Sequence, residues 1–160
     1  MIWVEKACAC VVQRGRLLLF EHPTAGVQIP KGGIERGELA IDAAVRELRE
    51  ESGLSLASKP SYVSTLEFER PPKPGVHGGK VTWQRWILFR LDTEETLPER
   101  WQHAAIGGPD ERTAPEAVAR IWFSSVRSFS ISFAWMLMSE AGPTIRPVMS
   151  GWWMSTRACG

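Results

Sequence analysis

Residues 32–54 read GGIERGELAIDAAVRELREESGL and contain the strongest helix prediction in the chain. Within them, residues 39–52 are rich in Ala, Leu, Glu and Arg, which are strong helix formers. Gly53 follows directly, and glycine is the usual residue at the C-terminal stop of a helix. The stretch therefore predicts a glycine-containing loop followed by a helix that ends before Gly53.

At about 100° per residue, this helix would present two different faces. The apolar face, which would pack on a sheet, consists of Ile41, Ala44, Val45 and Leu48. A second face carries carboxylates at positions i, i+3 and i+4, namely Glu47, Glu50 and Glu51. Ala40 and Ala43 lie one turn earlier on the acidic face, and their small side chains would leave room for a ligand above the carboxylates.

The acidic face is unfavourable for an isolated helix. Like charges at i,i+4 cost roughly 0.2–0.5 kcal/mol per pair, and the helix dipole favours cations rather than Glu50 and Glu51 in the last turn. Arg46, four residues before Glu50, offsets part of this cost. A divalent cation would turn the repulsion into coordination, and carboxylate oxygens suit Mg²⁺ or Mn²⁺. The alternative is an ordinary solvated acidic helix face.

The same stretch resembles the Nudix box of the MutT/Nudix hydrolase family. That motif runs Gly, five residues, Glu, seven residues, Arg-Glu, an aliphatic, any residue, Glu-Glu, any residue, Gly and an aliphatic. Every fixed position is filled here, by Gly32, Glu38, Arg46, Glu47, Leu48, Glu50, Glu51, Gly53 and Leu54. With typical residue frequencies, a chance match is on the order of one in 10⁹ per start position.

The resemblance implies an α/β/α sandwich with a central mixed sheet, built as a single domain over residues 1–160. The tail from about residue 142 aligns with no part of the family pattern. The implied activity is the Mg²⁺-dependent hydrolysis of a phosphoanhydride bond in a nucleoside diphosphate linked to another moiety, with Mn²⁺ as a possible substitute. The alternative function is a non-catalytic nucleotide-binding sensor of the same fold, in which we would expect eroded acidic positions.

The motif also implies roles for individual residues. Glu47, Glu50 and Glu51 would bind the metal, and Glu47 or Glu51 would be the catalytic base. Lys31 and Gly32 would bind substrate, although Lys31 would fit a solvated loop equally well. The residues that would support the site structurally are Gly32, Glu38, Arg46 and Gly53. Some family members use a glutamate elsewhere as the base, and the later candidates here are Glu94, Glu95, Glu111 and Glu116.

The remaining sequence predicts a sheet around the helix. Alternating or apolar runs predict strands at residues 6–12, 17–21, 62–69, 80–91 and 119–126. Residues 132–140 predict a second helix, whereas the Pro- and Gly-rich segments 22–37 and 71–79 predict loops. Strands mixed with one strong helix indicate an α/β or α+β domain.

The composition of the chain limits the kinds of partner that we expect it to bind. The formal net charge of +1 provides no strong field for gripping nucleic acid, so a long nucleic acid is not expected as the partner and a small nucleotide is. The three cysteines suggest no disulfide framework. The apolar runs are too short to span a bilayer and no signal pattern is visible, so we expect no membrane association and a cytoplasmic location. A homodimer is possible.

Specificity should come from residues outside the motif. Aromatic side chains could stack on a base, and the candidates are Trp3, Phe68, Trp83, Trp86 and Trp101. Trp83 and Trp86 would point to opposite faces of one strand. The sequence leaves the substrate open among oxidised deoxynucleotides, ADP-ribose, dinucleoside polyphosphates, sugar nucleotides and capped RNA.

Overall fold

A computed structural model describes residues 1–22, 26–72, 75, 77–104, 118–125 and 145–148. These residues form a mixed sheet with one α-helix. The elements are β1 (Ile2–Gln13), β2 (Arg16–His22), β3 (Gly26–Gln28), β4 (Lys31–Gly33), α1 (Ala40–Ser52), β5 (Ser61–Arg70), β6 (Thr82–Asp92), β7 (Arg100–Ala104), β8 (Val118–Ser125) and β9 (Ile145–Val148).

The sheet has the strand order β7-β8-β2-β1-β6-β5-β9, with β3 added to β2 and β4 added to β1. β1 and β6 pair in parallel over their whole length, from Ile2↔Thr82 to Val12↔Asp92. The other pairs are antiparallel. The predicted central mixed sheet is therefore confirmed, and β1 lies in its middle.

Each strand predicted from the sequence is present, with bounds shifted by a few residues at most ends. The prediction that residues 22–37 form only loop is wrong, because they contain β3 and β4. β4 consists of a lysine and two glycines, which have low strand propensity, yet pairing with Lys6, Ala7 and Cys8 satisfies its backbone. β7 was also not predicted. The predicted helix at residues 132–140 lies outside the described residues.

The two faces of the sheet carry different apolar clusters. We call the face covered by α1 the α1 face; its cluster includes Ala7, Ala9, Val11, Leu18, Phe20, Ala43, Ala44, Leu48, Phe89, Leu91, Ile121 and Phe123. On the opposite face the cluster consists of Cys8, Cys10, Leu17, Ile29, Phe68, Trp86 and Leu88. Cys8 and Cys10 share this face as buried residues that are not in a disulfide, and their spacing predicts the shared face.

The packing face of α1 differs from the predicted one. Val45 was placed on it but is 40% exposed, whereas Ala43, assigned to the acidic face, is fully buried. Ala40 also packs against the core cluster of the α1 face. The small side chains at 43 and 44 allow α1 to lie close to β1, so both residues serve packing.

No helix in the described part of the chain is long and apolar enough to cross a membrane.

Candidate active site

Strand β4 contacts two of the three glutamate carboxylates that project from the acidic face of α1. Gly32 lies beneath Glu47: a Cβ atom on Gly32 would coincide with the carboxylate of that glutamate. Next to it, the backbone N–H of Lys31 donates a hydrogen bond of 2.8 Å to Oε2 of Glu51. Because β4 is paired with β1, the backbone that receives both carboxylates is fixed by the sheet.

Arg46 links the helix to the preceding loop. Its guanidinium donates to both carboxylate oxygens of Glu38 at 2.9 Å and to the carbonyl of Gly33 at 2.7 Å. Nη1 also donates to Glu47 Oε1 at 2.7 Å and to Glu50 Oε2 at 3.1 Å. These contacts are the ones that a bracing role for Arg46 and Glu38 requires.

Glu38 closes the loop before α1. Its Oε2 accepts the backbone N–H of Glu35 at 2.9 Å, in addition to the guanidinium of Arg46. The hydrogen bonds from Arg46 first, and then from Glu35, lower the pKa of Glu38 to about 2. Glu38 is therefore a permanent anion at neutral pH, and it holds Arg46 in place beside the other carboxylates.

The C-terminal end of α1 is supported by β7. Gly53 adopts the left-handed conformation, with φ of 75°, and its N–H donates to the carbonyl of Arg49 at 2.9 Å. The indole Nε1 of Trp101 donates to the carbonyl of Ser52 at 2.8 Å, and Nε2 of His103 lies 3.1 Å from the carbonyl of Glu50. Helix carbonyls that would lack partners are thereby satisfied, and the last turn, which carries Glu50 and Glu51, is held to the sheet.

Burial sets the electrostatics of the carboxylates. It is the main cause that raises the pKa of Glu51 to about 8, against the opposing effects of the Lys31 N–H and ammonium. Burial also raises the pKa of Glu47, against the hydrogen bond from Arg46. A neighbouring positive charge would favour the ionised form of both groups.

The donor set suits a divalent metal. All three groups are carboxylates, which are hard oxygen donors, and Glu47 and Glu50 converge on one guanidinium nitrogen. Gly32 leaves open the space in which the Glu47 carboxylate sits. Within the described residues no three His, Cys, Asp or Glu side chains stand in a metal-binding arrangement. Because Arg46 donates to Glu47 and Glu50, a cation would have to compete with it for their carboxylate oxygens.

The side chain of Lys31 lies on the face of the sheet opposite α1. It is only 6% exposed, its ammonium donates to Oε1 of Gln28, and Nζ lies 5.0 Å from the centre of the Trp86 ring. The structure thus places the backbone of Lys31, rather than its ammonium, against a site carboxylate.

Of the later glutamates, Glu111 and Glu116 lie outside the described residues. Glu95 lies at the C-terminal end of β1, where its carbonyl accepts from Gln13 and its carboxylate from the N–H of Ala57. β4 and the site carboxylates lie instead at Lys6 to Cys8, near the other end of that strand. Glu94 is exposed.

The five aromatic residues predicted as candidates for stacking on a base differ in how far they are buried. Trp86 and Phe68 are buried against each other, and Trp101 is tied to α1. Trp3 is 44% exposed and its ring centre lies 5.7 Å from that of Trp83. Trp83 and Trp86 do point to opposite faces, as their spacing predicts. Trp3 is exposed, whereas Trp83 and Trp101 are partly buried.

Known proteins and one protein family are similar to this chain. A family model described as NUDIX domain matches residues 4–125. An RNA pyrophosphohydrolase of Cereibacter sphaeroides (strain KD131) is 33% identical over 139 residues, which span 80% of this chain and 78% of the relative. An RNA pyrophosphohydrolase of Psychrobacter cryohalolentis is 40% identical over 80 residues, spanning 43% of this chain and 44% of the relative. The crystal structure of a MutT NUDIX hydrolase from Burkholderia pseudomallei has a TM-score of 0.46 and 21% identity, covering 58% of this chain and 69% of that one.

Proposed function

This chain belongs to the NUDIX family of hydrolases, and from that premise we propose that it removes pyrophosphate from the 5′-triphosphate end of an RNA. It is a pyrophosphohydrolase that acts on a nucleotide-linked substrate. A non-catalytic sensor of the same fold is not favoured, because Glu47, Glu50 and Glu51 are all present.

The relatives support RNA as the substrate. Proteins named RNA pyrophosphohydrolase match this chain, and the one from Cereibacter sphaeroides does so over most of both lengths. A net charge of +1 does not oppose this choice. Cleavage at a 5′ end requires a local site for a few phosphates, rather than an extended surface for a long strand.

We further propose that Mg²⁺ is the metal, with Mn²⁺ able to replace it, and that Glu47, Glu50 and Glu51 hold it. When bound, the ion supplies neutralisation of the phosphate oxygens and activation of water. Arg46 orients Glu47 and Glu50, and the N–H of Lys31 orients Glu51. Glu47 or Glu51 removes the proton from the attacking water. Lys31 remains a predicted substrate-binding residue, as does Gly32 through its backbone.

The observation that carries this proposal is the convergence of the motif carboxylates on a braced loop. Glu47 lies over Gly32 and Glu51 on the N–H of Lys31, while Arg46 joins the helix to Glu38 and Gly33. The arrangement fixes Glu47 and Glu51 on neighbouring residues of one strand, and oxygen donors held in this way suit a divalent cation. A homodimer and a cytoplasmic location stay predictions from the sequence.

A substrate panel tests the proposed function. The protein is incubated with Mg²⁺ and a short 5′-triphosphorylated RNA, and the RNA end and the released phosphate species are analysed. We expect a 5′-monophosphate end together with pyrophosphate. Nucleoside triphosphates, oxidised deoxynucleotides, ADP-ribose, dinucleoside polyphosphates and sugar nucleotides serve as competitors at equal concentration. Faster turnover of any of these than of the RNA would contradict the RNA assignment and leave the hydrolase class standing.

A further inference from the structure

Lys6 is a residue outside the motif that lies beside the site carboxylates. It pairs directly with Gly33 of β4, so its Cα is about 5 Å from the strand that receives Glu47 and Glu51. The charges of both carboxylates act on its ammonium. Among the described residues its ammonium nevertheless forms no hydrogen bond or ion pair. Lys6 is therefore a half-buried cation near the site whose hydrogen-bonding capacity is not used by these neighbours.

Two more cations surround Lys6 on the face of the sheet opposite α1. Lys31 pairs with Cys8, two residues along β1, and its ammonium lies over Trp86, the direct partner of Lys6 in β6. Arg70 ends β5 on the same face. We call Lys6, Lys31 and Arg70 the cationic strip. Burial first, and then the charges of Lys31 and Arg70, lower the pKa of Lys6. An anion bound there would relieve this repulsion.

On the α1 face, the charged residues next to the helix include several carboxylates. The guanidinium of Arg85 on this face is matched by two carboxylates, since it donates to Glu67 at 2.6 Å and to Glu5 at 2.7 Å. Glu69 adds another negative charge on the same face of β5. The cationic strip, rather than these carboxylates, would attract a polyphosphate in the absence of a metal.

Resting on the proposed function, we infer that the ammonium of Lys6 binds a phosphate group of the substrate's polyphosphate chain. Lys31 and Arg70 supply positive potential around it. A phosphate that contacts Lys6 lies beside β4, where the N–H of Lys31 holds Glu51, whereas Glu47 lies over Gly32 on the α1 face. Lys6 would thereby position the polyphosphate near Glu51, without taking part in bond cleavage itself.

The test compares Lys6→Met and Lys6→Arg with wild type, and uses Lys59→Met as the control at an exposed lysine. We expect Lys6→Met to raise KM for 5′-triphosphorylated RNA by about tenfold or more, because a hydrogen bond between charged groups is lost. The value of kcat should change much less. Lys6→Arg should recover most of the affinity, and Lys59→Met should match wild type.

A second readout does not require turnover. Calorimetric titration with inorganic pyrophosphate, with and without Mg²⁺, should show about tenfold weaker binding to Lys6→Met. Wild-type affinity and wild-type KM in a folded Lys6→Met protein would overturn the inference. If that variant fails to fold, Arg70→Met replaces it, and unchanged pyrophosphate affinity there would count equally against the strip. Pyrophosphate binding that depends on Lys6 in a protein inactive on RNA would reject the RNA substrate and retain the role of Lys6.

Discussion

Gly32 shows how a single residue can serve the site without contributing a side chain. The space that its missing Cβ leaves is taken by the carboxylate of Glu47. The next residue, Gly33, offers a contrast, because a Cβ there would meet nothing within 4 Å. Neither glycine has a positive φ, so an alanine at either position is compatible with the backbone.

We therefore expect Gly32→Ala to damage the site while preserving the fold. The added methyl group would displace the far end of the flexible Glu47 side chain, which costs little stability but moves a carboxylate that we propose to bind the metal. Binding of Mn²⁺, measured by electron paramagnetic resonance, should weaken by about tenfold or more, as metal sites respond to displaced supporting groups. Gly33→Ala should bind Mn²⁺ like wild type. Equal affinities in the two variants would contradict the proposed position of the metal.

Glu38 provides a prediction about pH. Its pKa is lowered from the ordinary 4.5 to about 2 by Arg46 and the N–H of Glu35, so the ionised form stabilises the folded state. That contribution is present above pH 4.5 and is lost as the pH falls towards 2. The melting temperature of Glu38→Gln should therefore lie below that of wild type at pH 7, and the gap should narrow between pH 4.5 and pH 2. A gap that stays constant over this range would show that Glu38 acts by packing alone.

At the residue scale, the sequence predicted correctly which residues share a turn of α1 when the spacing within a motif sets their positions. The spacing of Glu47, Glu50 and Glu51 on one helix turn required only helical periodicity. The prediction failed for Val45 and Ala43, whose burial depends on how α1 rotates against β1. That rotation follows from the small residues on both elements, and a helical wheel of one element contains no information about the other.

At the scale of elements, the end of α1 depends on a strand distant in sequence. Trp101 and His103 of β7 reach the carbonyls of Ser52 and Glu50, and a Cβ on Gly53 would come within 2.9 Å of the His103 ring. Gly53 itself was predictable as the helix stop, because a left-handed residue ends many helices. The β7 contacts were not, since nothing in residues 100–104 indicates which helix they would meet.

Replacing Trp101 by phenylalanine tests this support. An aromatic ring remains, but the indole N–H and its hydrogen bond to the carbonyl of Ser52 are lost. We therefore expect a loss of about 1 kcal/mol in the free energy of unfolding. Chemical denaturation measures it. Trp83→Phe is the matched control, because the Trp83 indole forms no hydrogen bond among the described residues. Destabilisation of equal size in both variants would indicate lost packing rather than a lost helix contact.

Strand β4 illustrates the limit of element prediction. Its residues are a lysine and two glycines, and local propensity assigns them to a loop. They pair as a strand because β1 offers an unpaired edge at Lys6, Ala7 and Cys8, which a local pattern cannot reveal. This short strand matters for function, since it places Gly32 and Lys31 under the carboxylates of α1.

At the scale of the whole molecule, β1 contributes residues to both faces of the sheet at the site. Ala7 and Ala9 on one face receive α1, while Lys6, which belongs to the cationic strip, lies with Cys8 on the other face. The chain thus separates a carboxylate cluster from a cluster of cations by one strand. A net charge of +1 conceals this separation, so the composition alone could not indicate where a polyphosphate would bind.

The central claim, that Glu47, Glu50 and Glu51 hold the divalent cation that hydrolysis requires, is tested most directly by turnover of the preferred substrate by Glu51→Gln. With saturating Mg²⁺, the account predicts that kcat falls by about 100-fold or more, because a metal ligand or base is removed. Glu69→Gln, at an exposed position of β5, should retain wild-type turnover. Wild-type kcat in a folded Glu51→Gln protein would contradict the account.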